Sequence, residues 1–451
     1  FFFPFYPHVP ITLSSPLATI FRMWWPLAGS WLLMGVELPL VTATVSRLAN
    51  PEIHLAAYGG VVFPLSLLIE APIIMILVAS TALCKDWPAY RLMRNFIVIL
   101  GGSLTLVHMG VAFSPLYGFV VEDLLGAPES IWEPARMGLQ VMTPWTMSIA
   151  VRRFLQGIVI RSGQTRLVVL GTLLRLGVSA SVLLGGFLIQ DISGIVVATT
   201  ALSAGVLFEA GFMLLCVQPT LKALRQNHPQ TAVPLTLKQL SIFYWPLALT
   251  PLVTLASLPI GSAAISRMPQ ALESLAVWPV LGGLSFLFRS IGFAIQEVVV
   301  ALHDRPHFFA PLKKFVGLVS LGTSGSLLVI TATPLSSFWF ESFAGLTPEL
   351  SSLAQTALWM GVILPALSPW ESFFQGGLVT RGATTRITQA VCLYLLGSST
   401  VLFAGILNGQ ITGLYVGVAA TVIGVSIQMW WLWTHSQTFR VHPKASTPSV
   451  Q

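Results

Sequence analysis

The sequence predicts an all-α polytopic membrane protein, with twelve transmembrane helices arranged as two parallel six-helix repeats. Three observations carry that expectation. The 451 residues are 55% hydrophobic and only 9% charged, about a third of the ~25% charge of an average soluble domain. The apolar residues form long continuous blocks and do not alternate, as they would in the strands of a membrane barrel. A set of short motifs recurs in the second half at one constant spacing. This composition excludes a soluble enzyme, a disordered scaffold and a collagen-like fibre, because so few charges cannot solvate a surface of this size. Helices remain, since they satisfy their own backbone in lipid.

A spanning helix needs about 20 apolar residues. Breaks rich in polar residues, Pro and Gly divide the first half into candidates at 21–46, 54–82, 95–120, 136–160, 167–189 and 194–218. The second half divides into 239–265, 274–301, 314–340, 350–380, 386–407 and 411–434. The expected organisation is a first lobe over 1–218, a cytoplasmic linker over 219–238 with Asn227-His228-Pro229 and Pro234, a second lobe over 239–434, and a cytoplasmic tail over 435–451. Residues 1–20 carry no basic stretch ahead of an apolar one, so no cleavable signal peptide is expected.

The basic residues sort by side. Even-to-odd connections hold Lys85, Arg91 and Arg94, then Arg161 and Arg166, Lys222, Arg225 and Lys238, Arg305, Lys313 and Lys314, and Arg381 and Arg386. Arg22, Arg440 and Lys444 join them from the terminal segments, and Arg152 and Arg153, near the end of the fourth span, count with the same set. The opposite loops hold Arg47, Arg136 and Arg267, with Glu52, Glu122, Asp123, Glu129, Glu133, Asp191, Glu273, Glu341 and Glu349. Positive charge stays in the cytoplasm, so both termini are expected inside a plasma or inner membrane. The net charge of +7 therefore reads as orientation and not as nucleic-acid binding. Cys84, Cys216 and Cys392 lie far apart, which argues against a disulfide framework or a zinc site.

The chain is duplicated. Trp25-Pro26-Leu27-Ala28 recurs as Trp245-Pro246-Leu247-Ala248, an offset of 220 (245 − 25). In the same register Leu38-Pro39 matches Leu258-Pro259, Ser46-Arg47 matches Ser266-Arg267, and Leu55-Ala56 matches Leu275-Ala276. Phe154-Leu155-Gln156-Gly157 with Arg161 and Thr165-Arg166 echoes Phe373-Phe374-Gln375-Gly376 with Arg381 and Thr385-Arg386. An even number of spans separates the copies, so the halves are parallel repeats about an axis along the membrane normal. Two such bundles facing each other make alternating-access transport the expected function, with receptors and scaffolds as the other polytopic classes.

Ionisable groups inside spans are costly and mark function by default. Five carboxylates fall there, Glu37, Glu70, Glu209, Glu297 and Glu371, together with Arg175, Arg289 and His108. Glu37 lies 15 residues beyond Arg22, roughly 22 Å along the helix, with Pro39 close behind. Glu70 has Pro72 in the same relation. Glu37, Glu70, Glu209 and His108 are the ion-coupling candidates, with an ion pair to Arg175 as the structural alternative for Glu37 and Glu70. Arg175 and Arg289 are substrate-binding or gating candidates, because arginine stays charged and needs a carboxylate, water or an anion opposite. Arg289 corresponds to Ile69 in the repeat, next to Glu70, so the two are expected to pair across the central cleft or to pair locally. Glu297 and Glu371 join the gating candidates, and either has water within reach from its position. His108 reads as a proton relay or as a satisfied histidine of the bundle. No nucleotide-binding loop, metalloprotease motif or nucleophile elbow stands where it would act, so neither an enzyme nor an ATP-driven pump is expected.

The stretch from Trp25-Pro26-Leu27 to Leu55-Ala56-Ala57-Tyr58-Gly59, and the Phe-x-Gln-Gly…Arg…Thr-Arg loop after the fourth span, resemble the multidrug/oligosaccharidyl-lipid/polysaccharide (MOP) exporter superfamily, which includes the multidrug and toxic compound extrusion (MATE) transporters. Both features recur in the second half, so the resemblance covers nearly the whole chain. Trp245-Pro246-Leu247-Ala248-Leu249, Ser257-Leu258-Pro259-Ile260 and Ser266-Arg267 follow the layout of the seventh helix in the progressive ankylosis branch. That resemblance implies two lobes opening alternately, no cofactor beyond a coupling H+ or Na+, a monomer in the lipid bilayer, and export of small anions such as citrate, pyrophosphate or nucleotides. In MATE proteins an acidic residue of the first helix is tied to cation coupling, and Glu37 stands at the matching position, as Glu where those proteins usually have Asp. The alternatives are a proton- or sodium-coupled exporter of organic cations and a flippase for lipid-linked precursors.

Overall fold

The computed structural model describes residues 16–226, 235–302, 306–381 and 383–436, and every regular element among them is helical. The first half contains α1 (Pro16–Val45), α2 (Pro51–Leu83), α3 (Trp87–Phe113), α4 (Trp132–Arg161), α5 (Thr165–Ile189) and α6 (Gly194–Cys216). The second contains α7 (Leu237–Ile265), α8 (Ala271–Leu302), α9 (Phe309–Ala332), α10 (Pro348–Gly361 continued by Leu364–Thr380 at a 41° bend), α11 (Thr384–Asn408) and α12 (Gly413–Ser436). Ten of these are long and apolar enough to cross a membrane, and the bent α10 makes an eleventh. The remaining one, α4, carries Arg152 and Arg153 in its second half. Leucines at 70% exposure or more, such as Leu188, Leu215, Leu321 and Leu407, lie on outer faces, where only lipid would cover them favourably.

Local chemistry sets the helix ends. Asp86 caps α3 by accepting from the backbone N–H of Ala89 at 2.8 Å, with Pro88 in the first turn. Thr236 and Gln239 form a reciprocal capping box at the start of α7. The third and ninth spans begin and end earlier than the apolar blocks suggest, at Trp87–Phe113 and Phe309–Ala332 against 95–120 and 314–340. Ser114-Pro115 and Thr333-Pro334 close them, because the residue before a proline is driven out of the helical region. The apolar residues beyond form separate π-helical turns, Gly118–Leu124 and Phe338–Phe343. Within the expected linker, Gln218–Gln226 is helical, while residues 227–234 and the tail from 437, with Arg440 and Lys444, lie outside the described residues, as does Arg305.

The backbone repeats as faithfully as the sequence. Left-handed residues recur at offsets of 220 or 219: Asn50 (φ 50°) with Gln270 (φ 54°), Gly126 (φ 63°) with Gly345 (φ 73°), and Gln190 (φ 62°) with Gly409 (φ 64°). The halves meet where α2 crosses α8. A Cβ on Gly59 would lie 2.4 Å from the ring of Pro279, so only glycine permits this approach. Positions 59 and 279 are each other's equivalents in the repeat, so the pseudo-two-fold axis passes between them. The main core surrounds this crossing and includes Leu55, Tyr58, Leu275 and Phe340. A second core packs Ile20 of α1 against Ile295, Val316 and Phe373, so α1 starts against the second half and ends within the first. Toward the basic end, Trp24 Nε1 donates to the Ile291 carbonyl at 3.2 Å, and Tyr244, its repeat equivalent, donates to the Pro72 carbonyl.

Candidate functional site

A chain of buried charge runs through the first half. Arg175, on α5, places Nη2 3.2 Å from Glu37 Oε2 on α1 and Nε 3.8 Å from Glu209 Oε2 on α6. Arg152, on α4, donates to the same Glu209 oxygen at 3.0 Å, while Gln156, one turn on, donates to Oε1 at 3.0 Å. Ser179, one turn beyond Arg175, donates to Glu37 Oε1 at 3.0 Å or to the Ala201 carbonyl at 3.1 Å. Its single proton serves one of these at a time. The helices come close enough through glycine: a Cβ on Gly205 would lie 2.3 Å from Ser179 Oγ. Side-chain exposure grades along the chain, from 0% at Glu209 and 8% at Arg152 to 9% at Glu37 and 12% at Arg175. The Glu37–Arg175 pair is therefore the end nearest to open space.

Glu70 lies beside this chain in the field of Arg153, Arg152 and Arg175. Its Oε2 has no hydrogen-bond partner, and neither do the buried Nε atoms of Arg152 and Arg153 nor the Tyr58 hydroxyl. Buried polar atoms without partners are uncommon and mark a site with spare hydrogen-bonding capacity. Three carboxylates, Glu37, Glu70 and Glu209, thus face three guanidiniums, Arg152, Arg153 and Arg175, and the cluster is neutral only while all six groups are charged.

Two expectations are corrected here. Arg152 and Arg153 are not part of the basic surface: they lie inside the bundle, Arg152 bonded to Glu209 and Arg153 in the field of Glu70 and Glu209. Arg152 is nine residues before Arg161, the same interval that separates Arg175 from Arg166, and that spacing was the available signal. The opposite charges at Arg289 and Glu70 do not pair across the cleft either. Arg289 Nε donates to Ser368 at 3.0 Å, faces Glu371 and lies over the ring of Phe293, all within the second half. Arg175 pairs with Glu37 and Glu209, and its effect on Glu70 is through space.

Glu297 and Glu371 come together around a cavity of about 270 Å³ lined also by Trp31, Phe293, Gln296 and Gln375. Gln375 and Gln428 donate to Glu371 Oε1 at 3.0 and 2.7 Å. Trp31 comes from the first half, its ring edge-on to Phe293, so this cavity lies between the halves. His108 stands apart from both groups. Its Nε2 bonds the Leu139 carbonyl at 3.0 Å and its Nδ1 meets the Thr146 hydroxyl at 3.0 Å, which makes Nε2 the protonated nitrogen, since a carbonyl only accepts. Among the described residues, no three His, Cys, Asp or Glu side chains are grouped to hold a metal ion.

No family model and no curated protein matches the sequence. Solved structures match over nearly the whole chain. The inward-facing conformation of a multidrug resistance MATE family transporter of the MOP superfamily is 13% identical, with a TM-score of 0.69 over 93% of this chain and 99% of that one. The outward-facing conformation of such a transporter is 13% identical, with a TM-score of 0.63 over 95% and 97%. A MOP superfamily transporter from Pyrococcus furiosus, whose binding pocket is described as of reverse polarity and suggestive of a different function, is 14% identical, with a TM-score of 0.63 over 95% and 98%. The chain has the twelve-helix fold of the MATE transporters of the MOP superfamily.

Proposed function

We propose that the protein is a secondary transporter that works by alternating access and exports a small anionic solute, of the organic anion, citrate, pyrophosphate or nucleotide class. The observation that carries this reading is Arg175, more exposed than Glu37, Arg152 or Glu209 and held by Glu37. Arginine keeps its charge in any surroundings, so an anion that takes Arg175 from Glu37 leaves a carboxylate that must be neutralised. A proton or a Na+ does so, which links the solute to a cation through one residue pair. Glu209 and Arg152 anchor the far side of Arg175, and Glu70 lies beside them in the field of Arg153. Placement in the progressive ankylosis branch, a monomeric state and cytoplasmic termini belong to the same proposal. The branch is supported by the layout of Trp245 to Arg267, and the cytoplasmic termini by the one-sided distribution of Lys and Arg.

The test is flux in proteoliposomes against a panel of anions with and without a pH or Na+ gradient. Arg175→Ala is expected to lose about 10- to 100-fold in anion flux, the worth of one hydrogen-bonded charge. Glu37→Gln is expected to retain exchange and lose its dependence on the cation gradient. Full coupled transport by Glu37→Gln, or no flux of any anion, overturns the proposal. A second reading, export of organic cations, is favoured by the cavity at Glu297 and Glu371, where carboxylates meet Trp31 and Phe293. Cation–aromatic contact of this kind is worth about 1–2 kcal/mol when desolvated. Binding of organic cations that is lost in Glu371→Gln would select it.

A further inference from the structure

The Ser-Arg dipeptides that recur at 46–47 and 266–267 play no part in the buried cluster, yet each reaches into the other half. Arg267, just past the end of α7, donates through Nη2 to the carbonyls of Asp123 and Leu124 at 3.0 and 2.9 Å and through Nη1 to Leu125 at 2.8 Å. These carbonyls end the π-helical turn Gly118–Leu124 of the first half. Arg47, just past the end of α1, donates through Nη2 to the Ser342 carbonyl at 2.5 Å, and Ser46 donates to the Ala344 carbonyl. Those carbonyls end the equivalent turn Phe338–Phe343 of the second half. Each arginine also bonds the last turn of its own helix, at Ala263 and Ala43.

The receiving turns are shaped for this contact. Gly126 and Gly345 follow them at φ 63° and 73°. A Cβ would lie 3.0 Å from Arg267 Cζ at the first and 2.7 Å from Ser46 Oγ at the second. Both the left-handed backbone and the absent side chain are needed. Carbonyls at the end of a helical turn lack intrahelical donors and carry partial negative charge, and a guanidinium supplies several donors in a fixed fork. The same arrangement occurs twice about the pseudo-two-fold axis, each half supplying one arginine and one turn.

We propose that Arg47, with Ser46, and Arg267 are paired latches that hold the two halves closed at the acidic end of the molecule and release when that end opens. The proposal rests on the alternating-access reading, in which the halves separate at one end at a time. It does not involve the solute site. Because the two latches are related by the axis, one rotation of the halves breaks both, and each adds to the barrier against opening.

The experiment measures the distance between spin labels at Glu129→Cys and Glu349→Cys, two exposed positions 220 residues apart on this face, in protein lacking Cys84, Cys216 and Cys392 and with no solute present. The double variant Arg47→Ala/Arg267→Ala is expected to gain a longer-distance population at the expense of the short one. Each single variant should shift the balance about 10-fold, as one charged hydrogen-bond set would. Arg136→Ala, whose guanidinium, among the described residues, bonds within the first half, should leave the distances alone. Distances in the double variant identical to the parent overturn the proposal. If the double variant fails to fold, Arg267→Lys and Arg47→Lys replace it, since lysine keeps the charge but loses the fork. Arg267→Lys, which gives up three cross-half carbonyls, is expected to shift the distances more than Arg47→Lys, and no shift in either overturns the latches. A protein that carries no anion but still opens on loss of the arginines would refute the transport proposal while supporting this one.

Discussion

Arg152 and Glu209 show how much a single buried charge can decide. Glu209 has no exposed side-chain surface and takes bonds from Arg152 and Gln156. Arg152→Leu alone is expected to destabilise the protein by about 3 kcal/mol, because it takes the nearer of two guanidiniums from a fully buried carboxylate. Arg152→Leu with Glu209→Leu should recover most of that loss, and denaturant unfolding in detergent micelles measures both. If the single variant unfolds at the parent's midpoint, the pair carries no structural burden. The carboxylates and Arg175 were legible in the sequence because lipid tolerates no stray charge, so position alone marks them. Their partners were not legible. Spacing along one helix says nothing about which neighbour it faces, and Arg289 found Ser368 and Glu371 where Glu70 had been expected. Arg152 and Arg153 were hidden by their nearness to Arg161, which made them resemble the edge of a basic loop.

At the scale of elements, the start of the tenth span at Thr347-Pro348 fell close to its apolar block at 350, whereas Asp86-Trp87-Pro88 starts the third span eight residues before the block that marked it. The π-helical turns were not legible, since a wider hydrogen-bond ring has no side-chain signature, and their apolar residues extended the neighbouring spans in the reading. The α2–α8 crossing is an element contact that leaves no room for a side chain. Gly59→Ala is expected to cost about 1–3 kcal/mol, as overpacking of a tight contact does, and to lower the melting temperature. Gly29→Ala, with nothing within 4 Å of its Cβ, serves as the neutral comparison. Equal melting temperatures for the two variants would mean that the crossing yields without strain.

For the molecule as a whole, the duplication was legible in the sequence motifs, and the left-handed residues and the two latches follow it at offsets of 219 or 220. Sidedness is the matching prediction at this scale. A cysteine at Glu129 is expected to react with an impermeant thiol reagent added to intact cells. One at Lys222 should react only after permeabilisation, and reversed labelling would invert the orientation. Proteins of this kind invite the question of how their halves came to differ, and the Gly59–Pro279 contact bears on it. A single six-helix ancestor paired with its own copy would have brought one position against itself on the axis. Two prolines there would collide, whereas two glycines would leave a gap, so a tight fit at that point requires unlike residues. Only after the six-helix unit had been duplicated could this position change on one copy alone, and the tight fit of Gly59 against Pro279 is thus a consequence of duplication.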